Sequence, residues 1–94
     1  MDYQLTIYKD EIAPQAVLQV PANNALTAIY VIHGGLRVRT GTFSGTLGGN
    51  SGFYTADAAR LSAGHLVTWL LRWELTLAGA PDAIAAGEGV TSRQ

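Results

Sequence analysis

The segment from Leu66 to Leu77 alternates between two sets of residues, and this alternation constrains the fold more than any other feature. One set is large and apolar: Val67, Trp69, Leu71, Trp73 and Leu75. The other set is mixed: Thr68, Leu70, Arg72, Glu74 and Thr76. A helix tolerates leucine and tryptophan, but strict alternation over nine residues favours a β-strand with two different faces.

The rest of the chain shows the same period in shorter pieces, separated by glycine, proline and asparagine. Strands are predicted at residues 3–7, 15–20, 26–32, 36–39 and 59–62, with further pieces around Phe43, Leu47 and Phe53. In the fourth strand, Leu36 and Val38 are expected to point inward and Arg37 and Arg39 outward. The glycine pair after His33 supplies the positive φ that a tight turn needs. Many short strands joined by such turns predict an all-β sandwich or barrel.

The length of 94 residues is typical of one domain, predicted here to span residues 1–77. From Ala78 the alternation stops. Residues 78–94 are therefore predicted to form a C-terminal tail that is partly mobile or contains one short helix. Pro81 and Gly87 are suited to begin and end that helix. A homodimer is expected, because a chain of this size supports one core with little to spare and small barrels often gain stability by dimerising.

Charge and composition exclude several classes of function. Charged residues make up 14% of the chain, and the formal net charge of −1 includes only one lysine, Lys9. No basic stripe exists, so nucleic acid is not an expected partner, and no polybasic segment points to a membrane. The absence of cysteine excludes disulfides and thiolate chemistry. The acidic N-terminus lacks the basic and apolar regions of a signal peptide, so a cytoplasmic location is expected.

Three segments in the middle of the chain carry a resemblance to a known family. Residues 30–38 give a strand, a turn with Gly34 and a second strand; residues 49–60 open on a glycine; residues 70–75 give a closing strand. In their glycine spacing they resemble the two sequence motifs of the cupin superfamily, over residues 15–76. The resemblance implies a small cupin-like β-barrel or jelly roll, a fold also called a double-stranded β-helix.

The resemblance also shows where this chain departs from the family. It aligns Pro21, Asn23, Thr27 and Arg60 with the four positions at which the family carries metal ligands. Proline has no donor group, threonine and asparagine are weak oxygen donors, and arginine is a fixed cation. The resemblance therefore implies a metal-free protein without a cofactor and without the family's oxygenase chemistry.

Arg60 is the most informative of these residues. The resemblance directs its side chain into the barrel, where a buried guanidinium must be paired. One interpretation is a structural ion pair with Asp57 or Glu74. The sharper hypothesis is that Arg60 binds a small carboxylate or phosphate ligand bidentately, with Asn23 and Thr27 adding hydrogen bonds.

Trp69 and Trp73 admit three interpretations. Core packing is favoured, because each indole buries a large apolar surface. The second is an aromatic wall for a sugar or another ring-shaped ligand, with Tyr30 nearby, and it makes Trp69 a fourth ligand-binding residue. The third is a dimer interface, where tryptophan is enriched.

Acid–base catalysis has less support in the sequence. His33 and His65 are both expected in loops, and neither has a neighbour at metal-ligand spacing. Some cupin-like isomerases and epimerases work without a metal, using histidine, aspartate or tyrosine as acid and base. Tyr30, Asp57 and His65 are the candidates here, but no spacing forces them together. The sequence leaves open whether the protein is an enzyme.

Three functions remain. The leading one is a binding module that holds a small anionic or sugar-like ligand inside the barrel. The alternative is a dimeric structural or interaction protein with a filled or vestigial pocket, which fits the aromatic strands and the low charge. A metal-independent isomerase or epimerase comes third.

Overall fold

The computed structural model describes residues 3–20, 26–77 and 89–94. Every regular element within these ranges is a β-strand, which confirms the all-β prediction for them. The nine described strands are β1 (Tyr3–Ile12), β2 (Val17–Val20), β3 (Leu26–His33), β4 (Leu36–Arg39), β5 (Ser44–Leu47), β6 (Gly52–Thr55), β7 (Ala59–Ala63), β8 (Thr68–Leu77) and β9 (Val90–Arg93). Across the same ranges, no helix is long and apolar enough to cross a membrane.

The strands form two antiparallel sheets whose pairing is nested. The five-stranded sheet has the order β6-β3-β8-β1-β9, and the four-stranded sheet has the order β2-β7-β4-β5. The first strand pairs with the eighth, the second with the seventh, the third with the sixth and the fourth with the fifth. This is the pairing of one long hairpin folded over on itself. Among the described strands no pairing joins the two sheets, so the expected closed barrel is not formed.

The end of the chain differs from the prediction of a tail. Residues 90–93 form β9, which pairs with Lys9–Ile12 of β1 at the edge of the five-stranded sheet. Strand β9 therefore belongs to the same folded unit as β1. The short helix predicted between Pro81 and Gly87 lies outside the described residues.

The apolar core lies between the two sheets. Leu36 and Val38 of β4 are buried while Arg37 and Arg39 are exposed, which confirms the predicted orientation of this strand. The buried apolar side chains that pack together are Ile12, Leu18, Val20, Ile29, Val31, Leu36, Val38, Ala59, Leu61, Ala63 and Leu70. Burial of these side chains on both inner faces is what holds the two sheets together.

The face of strand β8 that points into the core is the less apolar of its two faces. Thr68, Leu70, Arg72 and Glu74 are buried, whereas Trp69, Leu71, Trp73 and Leu75 are only half-buried and lie on the outer face. The prediction that Trp69 and Trp73 pack in the core is therefore wrong. The polar inner side chains tolerate burial because each has a partner: Thr68 Oγ1 donates to the carbonyl oxygen of Gly35, and Arg72 and Glu74 bind each other, as described below.

The turn between β3 and β4 depends on Gly34. Its φ is +89°, and a Cβ built on it lies 2.5 Å from the carbonyl oxygen of Val67 and 3.1 Å from the Cα of Thr68. Both contacts are with backbone, which cannot rotate away. We expect Gly34→Ala to lower the free energy of unfolding by at least about 2 kcal/mol, from the left-handed backbone and the clash together. Urea denaturation followed by tryptophan fluorescence measures this loss.

The adjacent Gly35 provides a matched control. A Cβ on Gly35 meets no heavy atom within 4 Å. We expect Gly35→Ala to change the stability by no more than about 0.5 kcal/mol, the range typical of unstrained surface positions. Equal stability of the two variants contradicts the assigned role of Gly34.

Candidate functional site

The four predicted ligand-binding residues do not converge. Arg60 on β7 is exposed on the outer face of the four-stranded sheet, so its predicted inward direction is wrong. Thr27 is buried between the sheets, and Trp69 lies on the outer face of the five-stranded sheet. Asn23 lies outside the described residues. Ligand binding by Arg60 stays a prediction, but a site inside the sandwich is not built from Arg60, Thr27 and Trp69.

A metal centre of the cupin type does not fit the described residues. Of the four positions aligned with the family's ligands, Thr27 points between the sheets and Arg60 points away from them. The other two, Pro21 and Asn23, lie outside the described residues. In the described part of the chain, no group of three or more histidine, aspartate or glutamate side chains is placed to hold a metal ion. Threonine and arginine at diverging positions offer no such ion a binding site.

The buried arginine of this protein is Arg72 rather than Arg60. On β8, its Nε donates to Asp10 Oδ2 at 2.7 Å and its Nη2 donates to Asp10 Oδ1 at 3.2 Å. Its Nη1 donates to Glu74 Oε1 at 2.9 Å. The ring of Tyr8 lies 4.3 Å from the guanidinium carbon, and Ser92 Oγ of β9 lies 3.5 Å from Nη2. The guanidinium therefore connects β1, β8 and β9, and neither ion pair predicted for Arg60 is formed.

The environment of Arg72 fixes its charge. Burial acts to lower its pKa, but the hydrogen bonds and attraction of Asp10, together with those of Glu74, outweigh burial and raise the pKa above its ordinary value. The side chains of Arg72 and Asp10 have no exposed surface. The pair of Arg72 and Asp10 is consequently a structural element of the core, because its charged atoms are out of reach of a substrate.

The outer face of the five-stranded sheet is the first candidate site, and we call it the apolar face. Its side chains come from four neighbouring strands: Tyr3, Leu5, Ile7, Leu26, Ala28, Tyr30, Ile32, Tyr54, Trp69, Leu71, Trp73 and Leu75. Seven of them expose between 37% and 74% of their surface. The alternation that predicted strands thus produced a sheet with large apolar residues on the side away from the core.

Cross-strand register makes the apolar face continuous. One row across the sheet is Tyr54, Ala28, Trp73 and Ile7, and the next is Leu26, Leu75 and Leu5. Side chains directly opposite each other in an antiparallel pair are in contact range, so each row is a strip of neighbouring apolar groups. Tyr30 is anchored at the border of this strip, where its hydroxyl donates to Asn50 Oδ1 at 2.9 Å.

Charged residues border the apolar face at one corner. Lys9 Nζ lies 5.4 Å from the centroid of the Trp69 ring, a cation–π distance. Glu11 and Arg93 line the same shallow groove of about 150 Å³. This rim carries both signs of charge, so it is not a binding site for ions of one sign.

The second candidate site lies on the opposite outer face, and we call it the arginine groove. It has a volume of about 410 Å³ and is lined by Arg37 and Arg39 of β4 and Arg60 of β7. The remaining polar lining consists of the hydroxyl groups of Ser44, Thr46 and Ser62. Sequence reasoning singled out Arg60 but missed its two partners, although the alternation of residues 36–39 had already directed both of them outward.

The candidates for acid–base catalysis are not brought together. His65 is exposed and lines a groove of about 330 Å³ that it shares with Arg37 and Thr46. Asp57 lies in the turn before β7, and His65 follows the end of that strand, so the length of β7, roughly 15 Å, separates them. Tyr30 belongs to the apolar face on the other sheet. No two of the three form an acid–base pair in the described structure.

The comparisons with known proteins add no constraint to this geometry. No protein-family model, no curated protein and no solved structure matches the chain. The two outer faces are therefore interpreted from the chemistry of their own residues.

Proposed function

We propose that this chain is a jelly roll of the cupin type that acts as an interaction module, binding a second copy of itself through the apolar face. The nested pairing of eight strands over two sheets supports the jelly roll, because that fold rolls a long hairpin in this way. Strand β9 is an addition at the β1 edge. Membership of the cupin superfamily and a cytoplasmic location stay predictions.

The size of the apolar face carries the proposal. If each of the seven exposed side chains is given the roughly 150–250 Å² of an aromatic residue, their exposed fractions together offer about 500–850 Å². The largest apolar patch of a typical monomer is about 300–600 Å². A standard protein interface buries about 800 Å² on each partner. The apolar face thus reaches or exceeds the upper end of what a monomer usually exposes, and it is close to what a stable dimer needs.

A second copy is the occupant that this face fits best. The face belongs to a β-sheet, and two such sheets stack at about 10 Å with their side chains interdigitated. A two-fold axis brings the same patch onto itself, so an apolar strip meets an apolar strip. The rim of Lys9, Glu11 and Arg93 contains both signs of charge, which lets two copies match opposite charges at the edge.

The other functions expected from the sequence fit the geometry less well. The space between the sheets is occupied by the apolar core and by the Arg72 network, where a ligand inside a barrel was expected. An isomerase or epimerase requires a convergent acid and base, and Tyr30, Asp57 and His65 diverge. Among the described residues, the core and the ion network between the sheets favour the interaction protein over both.

Sedimentation velocity of the 94-residue chain tests the proposal. Over about 1–500 µM we expect a reversible monomer–dimer equilibrium with a dissociation constant in the micromolar range or tighter. A chain that sediments as a monomer at every concentration contradicts the proposal. So does an assembly that keeps growing, because pairing through one two-fold face closes at two copies.

A further inference from the structure

The three arginines of the arginine groove are held close together by the strand register. Arg39 of β4 lies directly opposite Arg60 of β7, and Arg37 lies opposite Ser62. On the other side of β4, Arg39 faces Ser44 and Arg37 faces Thr46 of β5. The groove is therefore a small rectangle of three guanidinium groups and three hydroxyl groups on one sheet face.

This arrangement leaves positive charge uncompensated. Like charges directly opposite each other on a sheet destabilise it. Within residues 3–20, 26–77 and 89–94, the only ion pairs are those of Arg72 with Asp10 and Glu74, so none neutralises the groove. Three positive charges on one face contrast with a formal net charge of −1 for the whole chain. An anion in the groove relieves the repulsion between Arg39 and Arg60.

The chemistry of the lining indicates which anion. Arginine presents a planar fork of N–H donors that binds phosphate and carboxylate oxygens in pairs, which a lysine cannot do. The hydroxyls of Ser44, Thr46 and Ser62 can donate further hydrogen bonds to the same oxygens. The volume of about 410 Å³ lies in the range of small-molecule sites, about 300–1,000 Å³. Three cations in this space match a ligand with two or more negative charges.

We propose that the arginine groove binds a small oxyanion with at least two negative charges, the shared chemistry of phosphate esters and of di- or tricarboxylates. Arg39 and Arg60 bind the oxyanion from two neighbouring strands, and Arg37 extends the binding surface toward His65. The groove and the apolar face lie on opposite outer faces, so oxyanion binding and self-association are independent. A result that contradicts oxyanion binding therefore does not contradict self-association, and the reverse also holds.

Isothermal titration with two probes, sodium pyrophosphate and sodium citrate, tests this proposal. The ionic strength is held constant, because added salt screens exposed charges. We expect at least one probe to bind with a dissociation constant in the millimolar range or tighter, about −4 kcal/mol by the standard conversion. Tighter binding of pyrophosphate identifies a phosphate-bearing ligand, and tighter binding of citrate identifies a polycarboxylate.

Variants locate the binding. We expect the double variant Arg39→Gln/Arg60→Gln to weaken the affinity at least tenfold, roughly the loss expected when charged hydrogen bonds are removed. Arg93→Gln, on the other sheet, is the matched control and is expected to keep the affinity. Sedimentation of the double variant should equal that of the parent chain, which shows that it folds. Absence of binding by both probes, equal affinity of the double variant, an equal loss in Arg93→Gln, or binding of duplex DNA but neither probe overturns the proposal.

Discussion

Replacing Arg72 by methionine is expected to lower the free energy of unfolding by about 3–5 kcal/mol, the range found when one partner of a buried ion pair is removed. Methionine fills much of the volume, but it leaves the fully buried carboxylate of Asp10 without its cation. A domain of this size has a total stability of about 5–15 kcal/mol, so the variant is expected near its unfolding threshold. Urea denaturation followed by the fluorescence of Trp69 and Trp73 measures the change.

Two further variants separate the ion network from the loss of a long side chain. Arg93→Met removes an exposed arginine from the same sheet and is expected to cost no more than about 0.5 kcal/mol. The triple variant Asp10→Leu/Arg72→Met/Glu74→Leu removes all three charges, and we expect it to recover most of the lost stability. If Arg72→Met does not fold, the triple variant still tests the network: its folding shows that the carboxylate left without its cation, and not the loss of the arginine side chain, prevents Arg72→Met from folding. A loss below about 1 kcal/mol in Arg72→Met contradicts the structural role of the network.

The pH dependence follows from the raised pKa of Arg72. A group whose pKa is higher in the folded state contributes stability below its unfolded pKa and loses it as the pH rises through the folded pKa. Both values lie in the strongly alkaline range for Arg72. Its own contribution should therefore be constant between about pH 5 and pH 9 in urea denaturation. A loss of stability as the pH rises through this interval, if it is absent from the triple variant, contradicts a raised pKa of Arg72.

The sequence predicts the strands of this protein better than the direction in which they face. The inner and outer faces of Leu36–Arg39 were predicted correctly, because the opposite orientation would bury the charges of Arg37 and Arg39 and expose two aliphatic side chains. In Leu66–Leu77 both faces contain apolar residues, so which face is buried depends on the residues that the polar side chains of the inner face bind. Those partners are remote: Asp10 lies 62 residues before Arg72, and no local pattern reveals that they meet.

The candidate sites show the same limit. Arg60 was directed inward by the glycine spacing of the cupin resemblance, although Ala59, Leu61 and Ala63 on either side already indicated that it points outward. Local alternation was thus the better guide to this side chain. The pairing of β4 with β7, which brings Arg39 opposite Arg60, depends on long-range topology and was not available from either pattern.

Strand β1, like β8, turns large apolar side chains away from the core. Tyr3, Leu5 and Ile7 are exposed, while Tyr8 and Asp10 are buried on the opposite side. Two adjacent central strands with this orientation place their large residues where a lone domain gains nothing from them. The proposed pairing of two copies would bury the outer apolar side chains of both strands at once.

Replacing Ile7 by glutamate is therefore expected to raise the dimer dissociation constant at least about 100-fold, equivalent to about 2.7 kcal/mol. Ile7 lies opposite Trp73 and ends the row that runs from Tyr54 across the apolar face, so the new carboxylate is brought against apolar side chains when two copies associate. In the monomer the position is 47% exposed, which lets the charge remain solvated and keeps the fold intact. Sedimentation velocity measures the dissociation constant, and urea denaturation checks the fold.

Leu66→Glu is the matched control, since it makes the same change of charge at a more exposed apolar residue, 67% against 47%, outside the apolar face. Leu66 lies in the turn before β8 and lines the groove of His65. We expect this variant to dimerise like the parent chain. If both variants dissociate equally, general charge repulsion explains the effect and the apolar face loses its role. If both remain dimeric, the two copies associate through another surface, and the exposed side chains of β1, β3, β6 and β8 need a different partner.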